Sequence, residues 1–375
     1  MTRIGDKFVT DVVRNLLLIL CVFSAPMVQA DVEIDELIEQ TGVVAGATAM
    51  RDFNGWRTPE KILIYGDRFV DPDLEDHVGA VKIVRAASKE EAMLHVADSD
   101  AIIGSCASDI IDAAPRASWV QIRAAGADRC MQTDRIVAGE IVLTNMQKMS
   151  SPMIGEHAIA MVLALARGLP QFIGRMPSGD WQSWGGEIAS KMQSVHGKTL
   201  LVAGLGGIGT EAARRGAALG MRVVGTRRSS REGPDFVDYV GLSDELFDLA
   251  AEADFIVNAL PLTDETEGLF DAKFFAAAKP GAHYISVGRG KTTVTDDLLA
   301  ALQSGQIGGA GLDVMDPEPL GSDHPLWQMP NVIITPHAAS RGADSSRHRA
   351  LLRENIRRFI AGDALLNVVD PESGY

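Results

Sequence analysis

The chain has 375 residues, a formal net charge of −15 and a pI near 5.0. This acidic balance argues against a nucleic acid or an anionic membrane as a partner. The length is sufficient for two domains that each bury a core of their own. With 46% hydrophobic residues, 37 glycines and no low-complexity tract or solenoid repeat, the composition is typical of a soluble α/β protein.

Residues 1–30 resemble a secretory signal peptide. Basic side chains precede an apolar run at 16–25, and small residues at 28–30 come directly before Asp31. The run is too short to span a bilayer and no later segment approaches 18 uninterrupted apolar residues, so no membrane span is predicted. We therefore expect a periplasmic or otherwise exported protein that begins near Asp31. A cytoplasmic protein with a disordered leader is the alternative.

Two cysteines follow this leader, Cys106 and Cys130. Two thiols placed in this way are more often small buried side chains than a disulfide. We therefore expect two free thiols, and the cysteines do not decide between export and a cytoplasmic location.

Apolar strands alternate with short helical or polar stretches from residue 61 onwards. This alternation predicts a parallel sheet that helices cover on both faces. The loop 123–128 follows one strand, and its small residues leave backbone N–H groups open to an anion such as a carboxylate. Ala125, Gly126 and Ala127 are the candidate substrate contacts, although a tight loop without a ligand would have the same composition. The predicted strands are 62–65, 83–84, 101–104, 119–122 and 141–144.

A long apolar helix is predicted at 151–169, where it would connect two domains. Glu156 and His157 within it resemble a catalytic pair. Adjacent residues of a helix point about 100° apart, so these side chains cannot easily share one target. We therefore do not assign them a catalytic role.

The stretch 198–228 is predicted to form a strand, a glycine turn, a helix and a second strand. Its turn has the G-x-G-x-x-G spacing. Gly204 permits the tight turn, Gly206 lets backbone N–H groups approach a pyrophosphate, and Gly209 lets the helix pack on the strand. The pattern predicts a dinucleotide site. Its predicted contacts are Gly204, Gly206, Gly207, Ile208 and Gly209.

The second strand of this unit ends where an NAD-binding protein usually has an acid for the ribose hydroxyls. Arg227, Arg228 and Ser229 stand there instead, and guanidinium groups would bind a phosphate that a carboxylate would repel. NADP is therefore predicted over NAD, with NAD possible and a solvated basic strand end as the alternative interpretation. Because NADP is a cytoplasmic cofactor, this prediction supports the cytoplasmic alternative for the leader.

Polar residues follow three of the later strands. The carboxyl ends of parallel strands meet at one edge of a sheet, where ligands bind. Arg289, Glu318 and His337 would therefore lie together beside the nicotinamide. Each has an ordinary explanation as a loop residue, but jointly they predict a site for keto-acid reduction. The later strands are predicted at 255–260, 283–287, 311–314 and 332–335.

The expected roles of these three residues follow from charge. Arg289 is permanently charged and can bind two oxygens of a 2-keto acid at once. His337 would donate a proton to the developing alkoxide. Glu318 would accept a hydrogen bond from the other ring nitrogen, hold the ring in place and favour its charged form. No metal site is predicted.

From about residue 61 to 375 the chain resembles the D-2-hydroxyacid dehydrogenase family, and within it the NADP-dependent glyoxylate and hydroxypyruvate reductases. The matching stretches are GLGGIG, GTRRS, ALPLTDETEGLF, SVGRG, GLDVMDPEPL and NVIITPHAAS. The resemblance implies NADPH-dependent reduction of a small 2-keto acid such as glyoxylate or hydroxypyruvate, and commonly a homodimer. The further cofactor contacts that it implies are Leu260, Pro261, Val287, Gly288 and Asp313.

The same resemblance implies an α/β fold of two doubly wound parallel-sheet lobes. A Rossmann NAD(P)-binding domain, 152–340, would be inserted in a flavodoxin-like substrate domain made of 60–151 and 341–375. A helix at 342–362 and the tail 367–375 would close the substrate domain.

Two other functions stay open. A phosphoglycerate or formate dehydrogenase would share the fold, and Arg123 and Arg129 could serve a phosphorylated substrate. A non-enzymatic dinucleotide-sensing module, similar to corepressors of this fold, could retain Arg289, Glu318 and His337. Turnover of 2-keto acids distinguishes these possibilities.

Overall fold

The computed structural model describes residues 33–66, 70–71, 73–179, 181, 186–342 and 345–371. The predicted signal peptide lies outside the described residues, as does the end of the predicted C-terminal tail. The strands are β1 Lys61–Tyr65, β2 Lys82–Ala86, β3 Ala101–Ile103, β4 Trp119–Gln121, β5 Val142–Thr144, β6 Thr199–Ala203, β7 Arg222–Thr226, β8 Tyr239–Gly241, β9 Phe255–Asn258, β10 Ala282–Ser286, β11 Ile307–Leu312 and β12 Val332–Ile334. The α-helices are α1 Ile34–Thr41, α2 Lys89–Met93, α3 Ser108–Asp112, α4 Asp134–Val137, α5 Ser151–Ala166, α6 Leu169–Arg175, α7 Glu187–Lys191, α8 Gly207–Ala218, α9 Leu246–Glu252, α10 Ala272–Ala277, α11 Thr295–Ser304 and α12 Ser346–Ala361.

Two parallel sheets form the framework of two lobes. The five-stranded sheet of the first lobe has the order β2-β1-β3-β4-β5, and the seven-stranded sheet of the second lobe has the order β12-β11-β10-β9-β6-β7-β8. The first is the flavodoxin-like order, and the second contains the Rossmann order with one further strand at its edge. The predicted fold class is therefore confirmed.

Residues 33–56, which precede the predicted substrate domain, pack on the C-terminal helix α12. Leu37 and Met50 are each 1% exposed and lie in one apolar cluster with Phe359. Trp56 Nε1 donates a hydrogen bond to the Phe359 carbonyl at 3.1 Å. Both ends of the described chain therefore contribute to the core of the first lobe.

Helix α5 lies against α8 and the second sheet. Gly155 permits this close approach, because a Cβ atom there would lie 2.7 Å from the Cβ atom of Glu211. The helix ends at Ala166 rather than at residue 169 as predicted. The reason is Gly168, whose φ of +62° is left-handed, so that a new helix, α6, begins after it.

Helix α6 and the turn after it expose apolar side chains. Phe172, Ile173 and Met176 are 39%, 61% and 73% exposed. Such a surface suits the homodimer that the resemblance implies, which stays a prediction. Within the described part of the chain no single helix is long and apolar enough to cross a membrane, and the pair Ser151–Ala166 and Leu169–Ser178, bent by 70°, meets these criteria only jointly.

Two strands differ from the prediction by more than two residues. The sequence did not indicate β8, which has three residues and pairs at the edge of the sheet with β7. Strand β11 begins at Ile307 rather than at 311, because its glycines accommodate helix α5. A Cβ atom at Gly311 would lie 2.8 Å from Met161 Sδ, so a glycine-rich run that resembles a loop is a closely packed strand.

Cys106 and Cys130 form a disulfide with Cα atoms 5.4 Å apart, so the expectation of two free thiols is wrong. Cys106 lies in the loop after β3, and Cys130 follows the loop after β4. Since β3 and β4 are neighbours in the sheet, these loops meet at its carboxyl edge. A separation of 24 residues in sequence does not reveal this proximity.

Candidate active site

The glycine turn after β6 leaves room for a phosphate at the start of α8. Gly204 has a φ of +90°, a conformation that favours glycine. A Cβ atom at Gly209 would lie 2.0 Å from the Gly204 oxygen, whereas one at Gly206 would meet nothing within 4 Å. Gly207 and Ile208 form the first turn of α8. The helix therefore packs directly on the turn, and its N-terminus stays open to an anion beside Gly206.

The predicted phosphate-binding residues follow β7, next to the glycine turn. The Gly204 N–H donates to Thr226 Oγ1 at 3.2 Å, which joins the turn to the end of this strand. Arg227 Nε is buried and has no hydrogen-bond partner among the described residues. Arg228 and Ser229 are exposed. A buried guanidinium nitrogen without a partner fits a phosphate ligand, so these residues fit a cofactor with a 2′-phosphate.

Leu260 lies between the glycine turn and the loop that follows β10. A Cβ atom at Gly204 would lie 2.9 Å from Leu260 Cδ2, and one at Gly288 would lie 2.4 Å from the Leu260 oxygen. Pro261 is exposed beside it. Val287 is only 4% exposed, so its side chain belongs to the core and its backbone alone could contact a cofactor.

Asp313 holds the loop that contains His337. Its carboxylate accepts hydrogen bonds from Thr335 Oγ1 at 2.6 Å, the Ala338 N–H at 2.8 Å and the Ala339 N–H at 3.0 Å. Its backbone oxygen accepts from the His337 N–H at 2.9 Å. Asp313 was predicted as a cofactor contact, and the structure places protein donors on both of its carboxylate oxygens.

His157 belongs to the same network, which the sequence did not indicate. His157 Nε2 lies 3.0 Å from Thr335 Oγ1 and 3.8 Å from Asp313 Oδ1. Glu156 instead accepts a hydrogen bond from Arg215 Nη2 at 2.8 Å. The two adjacent helical residues therefore have separate partners, because their side chains leave α5 in different directions.

His337 and Glu318 form a pair at the carboxyl edge of the second sheet. His337 Nδ1 donates to Glu318 Oε1 at 2.7 Å, and the side chains are 49% and 43% exposed. His337 has a φ of +48°, which is uncommon for a residue other than glycine and recurs at functional sites. Its Nε2 has no partner among the described residues, so this nitrogen is free to contact a ligand.

Arg289 reaches from the second lobe to the predicted substrate loop of the first. Arg289 Nε donates to Asp128 Oδ2 at 3.0 Å, and Nη1 donates to the Gly288 oxygen at 2.9 Å. Nη2 faces Gly126, where a Cβ atom would lie 1.6 Å from it. The absence of a side chain at Gly126 therefore admits the guanidinium. Asp128 was not predicted as a site residue, since its partner lies on the other lobe.

The loop beside Arg289 is fixed at its ends and open in its middle. Asn145 Nδ2 donates to the Ala125 oxygen at 2.8 Å, and the Cys130 N–H donates to the Ala127 oxygen at 2.7 Å. Ala127 is 1% exposed. In the part of the chain that the structure describes, the N–H groups of Ala125 and Gly126 donate to no protein group. Open N–H groups beside a guanidinium are suited to bind a carboxylate.

The three strands that precede Arg289, Glu318 and His337 are neighbours in the order β12-β11-β10. Their loops also touch, since a Cβ atom at Gly290 would lie 1.9 Å from the Met315 oxygen. A cation, a histidine with a carboxylate partner and a glycine turn thus occupy one edge of a Rossmann sheet. This arrangement defines a two-lobed, dinucleotide-dependent oxidoreductase.

Comparison with known proteins narrows this class. The family profile "D-isomer specific 2-hydroxyacid dehydrogenase, NAD binding domain" matches residues 159–339. The chain is 32% identical over 289 residues to the glyoxylate/hydroxypyruvate reductase B of Shigella boydii, covering 73% of this chain and 86% of that protein.

Solved structures show the same similarity. The NADPH-dependent glyoxylate/hydroxypyruvate reductase of Sinorhizobium meliloti, in complex with NADP and sulfate, superposes with a TM-score of 0.73 at 26% identity, covering 84% of this chain and 100% of that one. A D-isomer specific 2-hydroxyacid dehydrogenase of Xanthobacter autotrophicus, in complex with NADPH and MES, superposes with a TM-score of 0.72 at 28% identity. The comparison again covers 84% of this chain and 100% of that one.

The chain therefore belongs to the D-isomer specific 2-hydroxyacid dehydrogenase family. It is an NAD(P)-dependent oxidoreductase of 2-hydroxy acids, and the family predicted from the sequence motifs is confirmed.

Proposed function

We propose that this enzyme uses NADPH to reduce a small 2-keto acid, such as glyoxylate or hydroxypyruvate, with His337 as the general acid. The observation that supports the proposal is the 2.7 Å contact between His337 Nδ1 and Glu318 Oε1. This contact leaves Nε2 of His337 as the nitrogen that can face a substrate. Arg289, on the neighbouring strand end, faces a loop with open N–H groups.

The proposed roles divide between the two lobes. Arg289 and the N–H groups of Ala125 and Gly126 bind the substrate carboxylate and orient the C2 carbonyl. His337 transfers a proton from Nε2 to the carbonyl oxygen as negative charge develops there. Glu318 stabilises the charged ring and holds its orientation. When bound, the reduced nicotinamide supplies the hydride that C2 accepts, so that the carbonyl group becomes an alcohol.

The cofactor proposal rests on the residues that follow the glycine turn and β7. Gly206 leaves space for a pyrophosphate at the start of α8, and Arg227 has a buried nitrogen without a partner among the described residues. Arg227, Arg228 and Ser229 would hold the 2′-phosphate, which favours NADP over NAD. Two structural neighbours are described as bound to NADP or NADPH.

A substrate screen tests the proposed function. Oxidation of NADPH is followed with glyoxylate, hydroxypyruvate, pyruvate and 3-phosphohydroxypyruvate, and then with NADH in its place. We expect turnover with the first two and a preference for NADPH. Exclusive use of the phosphorylated acid would indicate a phosphoglycerate-type dehydrogenase instead. Binding of NADPH without turnover of any 2-keto acid would indicate a dinucleotide-sensing module.

We also propose that the protein is exported. The leader has the pattern of a signal peptide, and the Cys106–Cys130 disulfide is of a kind that persists in oxidising compartments. Mass spectrometry of the protein from its native cell should then find an N-terminus near Asp31. Recovery of intact residues 1–30 in a cytoplasmic fraction would contradict export.

A further inference from the structure

Arg123 lies at the carboxyl edge of the first sheet, where three strand ends meet. It follows β4, and its guanidinium lies near Gly66, which comes directly after β1, and Gly104, which comes directly after β3. A Cβ atom would lie 2.7 Å from Arg123 Nη1 if added at Gly66, and 3.5 Å from Arg123 Nε if added at Gly104. Both glycines have positive φ, +82° and +108°. Gly66 therefore provides space that the guanidinium occupies, whereas Gly104 is in ordinary van der Waals contact with it and lies closest to the Tyr65 oxygen, at 2.4 Å from the added atom.

This position is the topological switch point of the first lobe. In the order β2-β1-β3-β4-β5, the chain proceeds in opposite directions on the two sides of the β1–β3 boundary. In open α/β sheets, ligands bind in the crevice beyond the carboxyl ends of the strands at such a point. The guanidinium of Arg123 lies across this crevice.

Arg123 is half-buried, and within the described ranges its side chain makes no hydrogen bond or ion pair. By contrast, the carboxylate of Asp100 at the other end of β3 binds two arginines, Arg57 at 2.9 Å and Arg116 at 3.1 Å. A half-buried guanidinium without an acceptor has lost part of its hydration, and an anionic ligand would restore the missing hydrogen bonds.

Arg123 is close in the chain to the proposed substrate site. Arg123 begins the loop whose Gly126 contacts Arg289 and whose Asp128 is paired with it at 3.0 Å. Three residues span at most about 11 Å, so two guanidinium groups flank one short loop. The carboxylate of a 2-keto acid needs only one of them.

We propose that Arg123 binds a second anionic group on the substrate, a carboxylate or a phosphate at the end opposite the 2-keto acid function. This inference rests on the proposed function and assigns its substrate class. Glyoxylate and hydroxypyruvate are then substrates through Arg289 alone, and a 2-keto acid with a distal carboxylate or phosphate reacts more efficiently than its monoanionic counterpart. Arg289 binds the carboxylate beside the carbonyl group, and Arg123 binds the distal group. Arg123 thus determines specificity and takes no part in proton transfer.

The test compares substrates that differ in the distal group. Values of kcat/KM are measured with NADPH for pyruvate against oxaloacetate and 2-oxoglutarate, and for hydroxypyruvate against 3-phosphohydroxypyruvate. The enzymes are the wild type, Arg123→Gln, Arg123→Lys and Lys82→Gln. Lys82 is exposed at the start of β2, at the opposite edge of the same sheet, so its variant is the control for loss of one positive charge. Circular dichroism establishes that each variant is folded.

We expect the wild type to prefer the dianionic member of at least one pair. Arg123→Gln should lower kcat/KM for that substrate by about 10- to 100-fold, as for loss of one charge-assisted hydrogen bond, and change the monoanionic partner by less than about 2-fold. Arg123→Lys should retain part of the preference. The oxaloacetate and phosphohydroxypyruvate comparisons show whether the distal group is a carboxylate or a phosphate.

Other outcomes would overturn the inference. An equal loss for both members of a pair would mean that Arg123 binds the shared carboxylate, and no loss for either would mean that it binds neither. Absence of turnover with every 2-keto acid would refute the proposed function itself. In that case calorimetric titration with malate and lactate still decides the inference, since tighter binding of malate must depend on Arg123.

Discussion

The carboxyl edges of the two sheets are built in different ways. At the seven-stranded sheet, buried polar groups fix the loops: Asp313 accepts three hydrogen bonds from residues 335–339, and Asn258 Nδ2 donates to the Tyr284 and Thr292 hydroxyls at 2.9 and 2.8 Å. Burial raises the pKa of Tyr284, so this residue stays a neutral hydroxyl group within the network.

The edge of the five-stranded sheet also has buried polar side chains, since Thr144 Oγ1 donates to Gln121 Oε1 and Asn145 Nδ2 donates to the Ala125 oxygen, each at 2.8 Å. Beyond these anchors the loop 123–128 is open: among the described residues, the N–H groups of Ala125 and Gly126 donate to no protein group, and the Arg123 side chain makes no hydrogen bond or ion pair. The Cys106–Cys130 disulfide joins the residue after Arg129 to the loop after β3. Fixed polar groups are needed where protons and hydride must be placed accurately. An open edge with one cation is sufficient to select a substrate. We infer that the second lobe performs the chemistry and that the first lobe selects the acid.

The largest expected effect is at the proton donor of the second lobe. Replacement His337→Gln keeps a hydrogen-bond donor but removes the proton that titrates, so kcat should fall by about 10²- to 10⁴-fold. The affinity for NADPH should be unchanged in a fluorescence titration. His77, which lies 3.6 Å from Asp73 on the first lobe, provides the control His77→Gln. A His337 variant with near wild-type turnover on every 2-keto acid would show that the proton comes from elsewhere.

The second largest effect is expected at the cofactor site of the second lobe. Replacement Arg227→Asp places a negative charge where a phosphate would bind, and one charge-assisted contact is worth about 1.5 to 3 kcal/mol. The ratio of kcat/KM for NADPH to that for NADH should therefore fall by about 10- to 150-fold. Arg222→Asp makes the same change at the other end of β7 and should leave this ratio intact. An unchanged ratio in the Arg227 variant would refute the role of this arginine.

The contact between the lobes is tested at Gly126. The added methyl of Gly126→Ala would overlap Arg289 Nη2, 1.6 Å from its position, so the guanidinium must move. We expect kcat/KM for 2-keto acids to fall by about 10- to 100-fold, with unchanged NADPH affinity. Gly174→Ala adds the same methyl in open space on α6 and should have little effect. Equal kinetics of the two variants would mean that Arg289 does not need its present position.

The smallest expected effect is that of Glu318. Its carboxylate accepts a hydrogen bond from His337 Nδ1 at 2.7 Å and holds the ring in position. Glu318→Gln still offers an oxygen to this nitrogen but removes the charge. Both side chains are about half exposed, so solvent screens the pair. We therefore expect kcat to fall by less than about 5-fold, with unchanged NADPH affinity. A loss as large as that of His337→Gln would contradict a role that is limited to positioning the ring.

The sequence by itself determined the glycine turn of the second lobe and the position of the three candidate site residues at one edge of its sheet. The spacing of Gly204, Gly206 and Gly209 specifies a strand, a turn and a helix within a few residues, because the constraints on a tight turn and on helix packing are local. The placement of Arg289, Glu318 and His337 also followed from local patterns. Each residue comes soon after an apolar strand, and parallel strands end at one edge.

The tertiary structure alone decided which groups meet across the chain. Asp128 and Arg289 are separated by 161 residues, and Cys106 bonds to Cys130 only because β3 and β4 are neighbours. The sequence also did not predict the packing of residues 33–56 on α12, since this contact joins the two ends of the described chain. Such contacts depend on the order of strands and on how the lobes face each other, and no local propensity encodes either of these. The physical reason is that a local pattern fixes where a strand, turn or helix begins and ends, whereas distant residues are brought together only when these elements bury a common core.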